Sequence, residues 1–164
     1  ASDVYKRQVE WALQETDMTA FADRPVEALS GGQRQRAWIA MAIAQDTAIL
    51  FLDEPTSFLD VAHQMDVLTL VRHLNTAYGK TIVMVIHEIN EAARFADYLL
   101  AMRHGTLLYE GTPDEVFTKE MLADVFGIDA ELLRDPRTGR PYCIPYVNRE
   151  RPAGSTSKEE KAYA

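Results

Sequence analysis

The chain has 164 residues, with 17 Lys and Arg against 25 Asp and Glu and a formal net charge of −8. That acidic balance argues against general nucleic-acid binding, which favours basic surfaces. Apolar residues make up 47% and charged residues 26%, the proportions of a globular protein with room for one packed core.

No apolar run reaches the about 18 residues of a spanning helix, and no signal-peptide pattern opens the chain. Cys143 is the single cysteine and cannot form an internal disulfide. A reduced, intracellular compartment and a half-buried structural role fit it. The opening ASDVYKRQ lacks an initiator Met. A fragment is therefore expected, with residues 1–8 an unassigned leader that need not be native.

Val9 to Thr16 carries apolar residues at helical spacing, among them Val9, Ala12 and Leu13. ADRPVEALS reads as a connection. A helix is predicted from about Gly32 to Gln45, because Ala37, Ala40 and Ala44 with Ile39 and Ile43 recur at i, i+3 and i+4. AILFLD at 48–53 is a continuous apolar run ending in acid, the pattern of a strand buried on both faces of a parallel sheet. Val61 to Tyr78 reads as a helix with Met65, Leu68, Val71 and Leu74 on one face, ended by Gly79. TIVMVI at 81–86 is a second strand of the same kind.

Ile89, Ala92, Ala93 and Ala96 line one face of a further helix. YLLAMRHGTLLYEG reads as a hairpin turning at His104-Gly105. Next, Thr112 suits a helix N-cap, Pro113 the first helical position, and Glu115 the return bond of a capping box. One or two short helices end near Gly127. Arg149 to Ala164 is polar and aromatic-poor, as disordered segments are. Two apolar strands, each followed by a helix, argue for an α/β fold with a parallel sheet. In such sheets ligands sit beyond the carboxyl ends of the strands.

Three places could carry chemistry. Asp53-Glu54 ends the first strand. Asp53 suits Mg²⁺ held through water, and Glu54 suits orienting or deprotonating a water. A strand ending in solvated acids gives the same pattern. His87 ends the second strand, where its imidazole could donate to a phosphoryl oxygen as charge builds there. A structural histidine is the alternative. His63, His73 and His104 fall on predicted surfaces or turns and receive no role. At LSGGQ, a helix start offers free N–H groups and a positive dipole end to an anion. Ser30 adds a hydroxyl, and Gly31 and Gly32 remove side chains that would block approach. An ordinary Ser N-cap before a flexible turn is the alternative.

Taken together and in this order, LSGGQ at 29–33, ILFLDEP at 49–55, SFLD at 57–60 and His87 on the next strand resemble the ATP-binding-cassette (ABC) ATPases. The resemblance covers roughly Val9 to Val147. It implies a P-loop NTPase-like α/β fold with a mostly parallel sheet flanked by helices. It also implies that Leu29, Ser30, Gly31, Gly32 and Gln33 form the signature loop, which faces the γ-phosphate of ATP on a partner subunit. Asp53 would then hold Mg²⁺, Glu54 would be the catalytic carboxylate, Ser57 to Asp60 the D-loop, and His87 the switch histidine. The wording VIHEINEAARFADYLLAMRHGTLLYEGTPDEVFT…VFGID looks like the branch that serves iron–siderophore, haem and cobalamin importers.

The family's P-loop, G-x-x-x-x-G-K-[ST], holds the β- and γ-phosphates. Gly79-Lys80-Thr81 matches its last three letters only: Leu74 stands where the first glycine is needed, and the triplet closes a helix instead of opening one. The expected organisation is therefore a cassette ATPase truncated before the signature. Residues 9–30 would end the helical subdomain, 31–147 would form the C-terminal part of the core, and 148–164 a disordered tail. The implied partners are a second ATPase subunit in a head-to-tail homodimer, transmembrane permease subunits and, indirectly, a substrate-binding protein, with no nucleic acid. The implied place is the cytoplasmic face of the bacterial inner membrane. A cassette ATPase of DNA maintenance or translation, and a binding module that has lost catalysis, are the competing expectations.

Overall fold

The computed structural model describes residues 2–146. The polar tail expected from 148 onward lies outside the described residues. The chain divides between Glu88 and Ile89 into two compact units.

The first unit starts with helix α1 (Ser2–Glu15) and two 3₁₀ turns, Thr19–Phe21 and Val26–Ala28. Helix α2 (Gly31–Ile43), strand β1 (Ile49–Asp53), helix α3 (Val61–Tyr78) and strand β2 (Thr81–Val85) follow. α1 runs through residues 2–8, where the sequence offered no usable pattern. β1 and β2 pair in parallel, with Ile49 opposite Thr81 and Asp53 opposite Val85. The 18-residue α3 is the crossover that such a pairing needs. Gly79 ends α3 in the left-handed region at φ 63°, where a side chain would be strained. Lys80 is buried and its ammonium donates to Thr47 O at 2.8 Å. Gly79-Lys80-Thr81 thus closes a helix and opens a strand.

Leu50, Ile39, Ala40, Ile43, Val67, Val71 and Leu74 form the core of this unit, and Leu52, Ile82 and Met84 pack against it. The two strands are not buried on both faces, as their apolar runs suggested. Burial alternates along β1 and β2. The outer face keeps Ile49, Phe51, Val83 and Val85 exposed, Phe51 at 74%. The cause is one-sided cover: the core cluster fills one face only. Arg36 ties α2 to its neighbours through Asp17 Oδ2 at 3.0 Å and Asp66 Oδ2 at 3.3 Å.

The second unit contains α4 (Ile89–Phe95), a hairpin of β3 (Leu99–Arg103) and β4 (Thr106–Gly111), and the short helices α5 (Pro113–Val116) and α6 (Lys119–Met121). A π-type turn, Leu122–Phe126, ends at Gly127. The hairpin turns at His104-Gly105, both with positive φ, as a tight two-residue connection requires. At the start of α5 the Glu115 carboxylate accepts from Thr112 N at 2.9 Å and from its hydroxyl at 2.8 Å. A second antiparallel hairpin, β5 (Asp129–Arg134) with β6 (Pro141–Tyr146), was not foreseen. Only the β1–β2 pair is parallel among the described residues; the other two sheets are antiparallel hairpins.

Ala93, Val116, Phe117, Met121, Leu122, Ala130 and Cys143 make this unit's core. Burial pushes the Cys143 thiol up, which suits an inert packing residue. Asn90 on α4 imitates a strand: its Oδ1 accepts from Cys143 N at 2.7 Å and its Nδ2 donates to Cys143 O at 3.0 Å.

Leu74 is fully buried at 0% exposure. Leu74→Ala should cost about 2–5 kcal/mol, read as a lower urea midpoint at unchanged slope. An unshifted midpoint would remove Leu74 from the core.

Candidate functional site

The carboxyl ends of β1 and β2 lie side by side because the strands are parallel. This brings Glu54 and His87, 33 positions apart, into contact: His87 Nε2 donates to Glu54 Oε1 at 2.5 Å. The other carboxylate oxygen of Glu54 accepts from Ser57 Oγ at 2.7 Å. Its backbone N–H donates to Val85 O at 3.2 Å. The Ser57 hydroxyl, and next the His87 imidazole, hold the Glu54 carboxyl below its usual range. Both donate to the ionised form, which favours it. Glu54 also sits at φ 46°, an uncommon backbone for a residue other than glycine.

Asp53 ends β1 on the outer face, paired with Val85. Its carboxylate is exposed, with no hydrogen bond or ion pair among the described residues. A single free carboxylate at a strand end fits a water-retaining Mg²⁺. Among the described residues no group of three or more His, Cys, Asp or Glu is gathered for a metal. A dedicated protein cage is therefore not what these residues offer.

The start of α2 builds a complete capping box. Ser30 Oγ accepts from Gln33 N at 3.3 Å, and Gln33 Oε1 accepts from Ser30 N at 3.0 Å. Leu29 is buried and Ser30 exposed. The N–H groups of Gly31 and Gly32 carry no hydrogen bond among the described residues, as expected for the first turn of a helix. They are the groups an anion could use.

The two glycines differ. A Cβ on Gly31 would meet only Leu59 Cδ2 at 3.8 Å, an ordinary contact. A Cβ on Gly32 would lie 2.4 Å from His63 Cδ2. Gly32 thus makes room for a side chain of its own chain.

Asp60 caps α3, accepting from His63 N at 3.0 Å. The imidazole of the same residue lies at 2.9 and 2.8 Å from the two Asp60 oxygens. The His63 amide, and next its ring, hold the Asp60 carboxyl below the usual range. Ser57 and Asp60 therefore face different partners, Glu54 and His63. Between them, Phe58 is fully exposed at φ 63°. His63, which the sequence pattern puts on a surface with no role, contacts Asp60, and Ser57 bonds Glu54, a contact the sequence pattern does not show. An i, i+3 Asp–His pair at a helix N-cap is the signal that could have raised His63.

The family profile described as ABC transporter matches residues 3–57. The chain is 55% identical over 145 residues to the iron(3+)-hydroxamate import ATP-binding protein FhuC of Bacillus subtilis (strain 168), covering 88% of this chain and 54% of that protein. A solved metal-chelate type ABC transporter in an inward-facing conformation superimposes with a TM-score of 0.78 at 30% identity, covering 86% of this chain and 57% of that one. A dimeric, post-hydrolysis structure of the ATP-binding cassette MJ0796 with ADP and Pi aligns with a TM-score of 0.57 at 34% identity, over 65% of this chain and 46% of that one. The fold and these likenesses match about half of an ATP-binding cassette protein. The chain belongs to the ATP-binding proteins of the ABC transporter family. It spans about half the length of the curated relatives it matches.

The Glu54 network has a pH signature. A carboxyl whose value is lowered on folding adds stability that is complete above the ordinary carboxylate range. That contribution is lost as pH falls through the lowered value. Ser57→Ala removes the largest cause of the shift. The Glu54 carboxyl followed by ¹³C NMR should then titrate at a higher pH, closer to an ordinary glutamate. An identical curve in the variant would mean that the hydroxyl does not act on Glu54.

Proposed function

We propose that the intact protein carrying this sequence is the ATP-hydrolysing subunit of an importer for iron–siderophore or related metal chelates. The reading is carried by the Glu54–His87 contact at the carboxyl ends of two parallel strands, together with an LSGGQ helix start in the same unit. The iron-hydroxamate and metal-chelate likenesses support the choice of cargo.

Glu54 is the residue we assign to the attacking water. Its lowered pKa keeps it ionised, so it can accept hydrogen bonds from water at neutral pH. His87 carries a proton on Nε2, which lies on Glu54 in this structure and could be redirected to a phosphoryl oxygen as charge builds there. Asp53 would hold Mg²⁺, an ion that neutralises charge on the transferring phosphoryl group.

The free Gly31 and Gly32 amides, with Ser30 and Gln33 fixing the turn, would meet the γ-phosphate of ATP held by a second ATPase subunit. Leu29 anchors that turn in the interior, and Ser57 and Asp60 shape the neighbouring D-loop. A head-to-tail homodimer, permease subunits and a substrate-binding protein complete the assembly we infer, without nucleic acid. No helix among the described residues is long and apolar enough to cross a membrane. We place the subunit at the cytoplasmic face of the bacterial inner membrane.

The full-length protein with Glu54→Gln provides the test. ATP turnover should drop by about 10²–10⁴-fold, while ATP-dependent dimerisation, followed by size-exclusion chromatography, should persist. Turnover at the parental rate would remove Glu54 from the chemistry.

A further inference from the structure

His63 is exposed on the first turn of α3, yet it touches both nucleotide-facing segments assigned above. On one side its ring nitrogen Nδ1 meets the two Asp60 oxygens at 2.9 and 2.8 Å. On the other, the ring edge occupies the space where Gly32 lacks a side chain. A Cβ there would lie 2.4 Å from Cδ2, 3.1 Å from Cγ and 3.2 Å from Nε2. The ring cannot simply swing away, because its opposite edge is tied to Asp60, which in turn accepts from the His63 amide. Gly31 lies beside Leu59 of the same D-loop.

We propose that His63 is a positioning residue: its imidazole is a rigid spacer that sets the first turn of the signature helix against Asp60 of the D-loop. Gly32 is a glycine because this ring fills its place. Displacement of either segment then displaces the other. The spacer touches no substrate; it acts through the two segments it separates. The inference rests on the ATPase reading above, since that reading gives both segments their task.

The test is a double-mutant cycle in the full-length protein. Asn is the informative replacement, because its Nδ2 can occupy the position of the imidazole Nδ1 and keep the bond to Asp60 while removing the ring. Gly32→Ala alone should lower kcat for ATP about tenfold or more, the scale of a small misplacement of reacting groups. In the His63→Asn background the same Gly32→Ala change should lower kcat by less than about threefold, because the clash is gone. His63→Asn by itself should lower kcat, expressed per folded molecule, while leaving KM for ATP within about twofold, the pattern of a contact that acts in the transition state and not in ground-state binding.

An equal Gly32→Ala penalty in both backgrounds would overturn the proposal, since the glycine would then serve only an outside ligand. Parental kcat in His63→Asn would overturn it as well. The parent and Glu54→Gln are measured alongside. If turnover does not depend on Glu54, the ATPase reading fails. The urea midpoints of the parent and the three variants of the cycle then decide the spacer: additive shifts refute it, and a smaller Gly32→Ala penalty without the ring supports it.

Discussion

The parallel pairing of β1 with β2 is the constraint on which the site depends. Glu54 and His87 each follow the last residues of a strand, and they meet because both strands end at the same edge. Were the strands antiparallel, the two residues would sit at opposite ends of a five-residue strand, roughly 16 Å apart at the usual rise. The 18-residue α3 makes the parallel return possible. Its face of Val67, Leu68, Val71 and Leu74 is buried, so the packing that stabilises the unit also fixes the spacing of its chemistry. Arg36 adds a second level, tying α2 to Asp17 and Asp66.

Helix starts supply the other half of the arrangement. In α2 the cap consumes the polar side chains: Ser30 and Gln33 bond each other's backbone. What remains for an outside anion is the pair of glycine amides. Those amides are peptide groups, so they add no side-chain entropy to the cost of binding. In α3 the cap works differently, because Asp60 is negative and sits at the positive end of the helix dipole. His63 then adds a second donor to the same carboxylate. One helix start is left open to an anion, while the neighbouring one already carries its own.

Much of this was legible in the sequence, for local reasons. The α3 limits, the turn at His104-Gly105 and the Thr112–Glu115 cap follow from periodicity and cap chemistry within a few residues. So did the joint meaning of LSGGQ, LDEP and His87, which resides in their order. Other features depend on tertiary context. The runs ILFLD and TIVMV read as doubly buried strands, but only one face of each meets helices. Apolar content shows that a strand can be buried, not what covers it. The β5–β6 hairpin was missed because DAELLR alternates weakly, although the turn DPRTGR between its strands carries Pro and Gly at breaker positions. α1 extends over 2–8, where YKRQ has good helix formers but no apolar stripe. The partners of His63 could not be read from LDVAH without knowing that α2 starts beside α3.

The loop from Glu54 to Asp60 is where these requirements meet. Two of its residues, Glu54 and Phe58, hold positive φ without being glycine, a conformation that costs of order 1 kcal/mol or more each. Such strain persists only when the surroundings over-determine it. Here the determinants are visible: Ser57 and His87 fix the Glu54 carboxylate, and the α3 cap fixes Asp60. Pro55 and Thr56 between them are buried, which fixes the segment that follows Glu54. A loop held at both ends and buried at Pro55 and Thr56 has few ways to adjust. Removing one end contact should therefore release strain along the whole segment, not only at the contact that was lost. This is why Ser57, which bonds only Glu54 among these side chains, bears on the shape of the whole loop as much as the acid it holds.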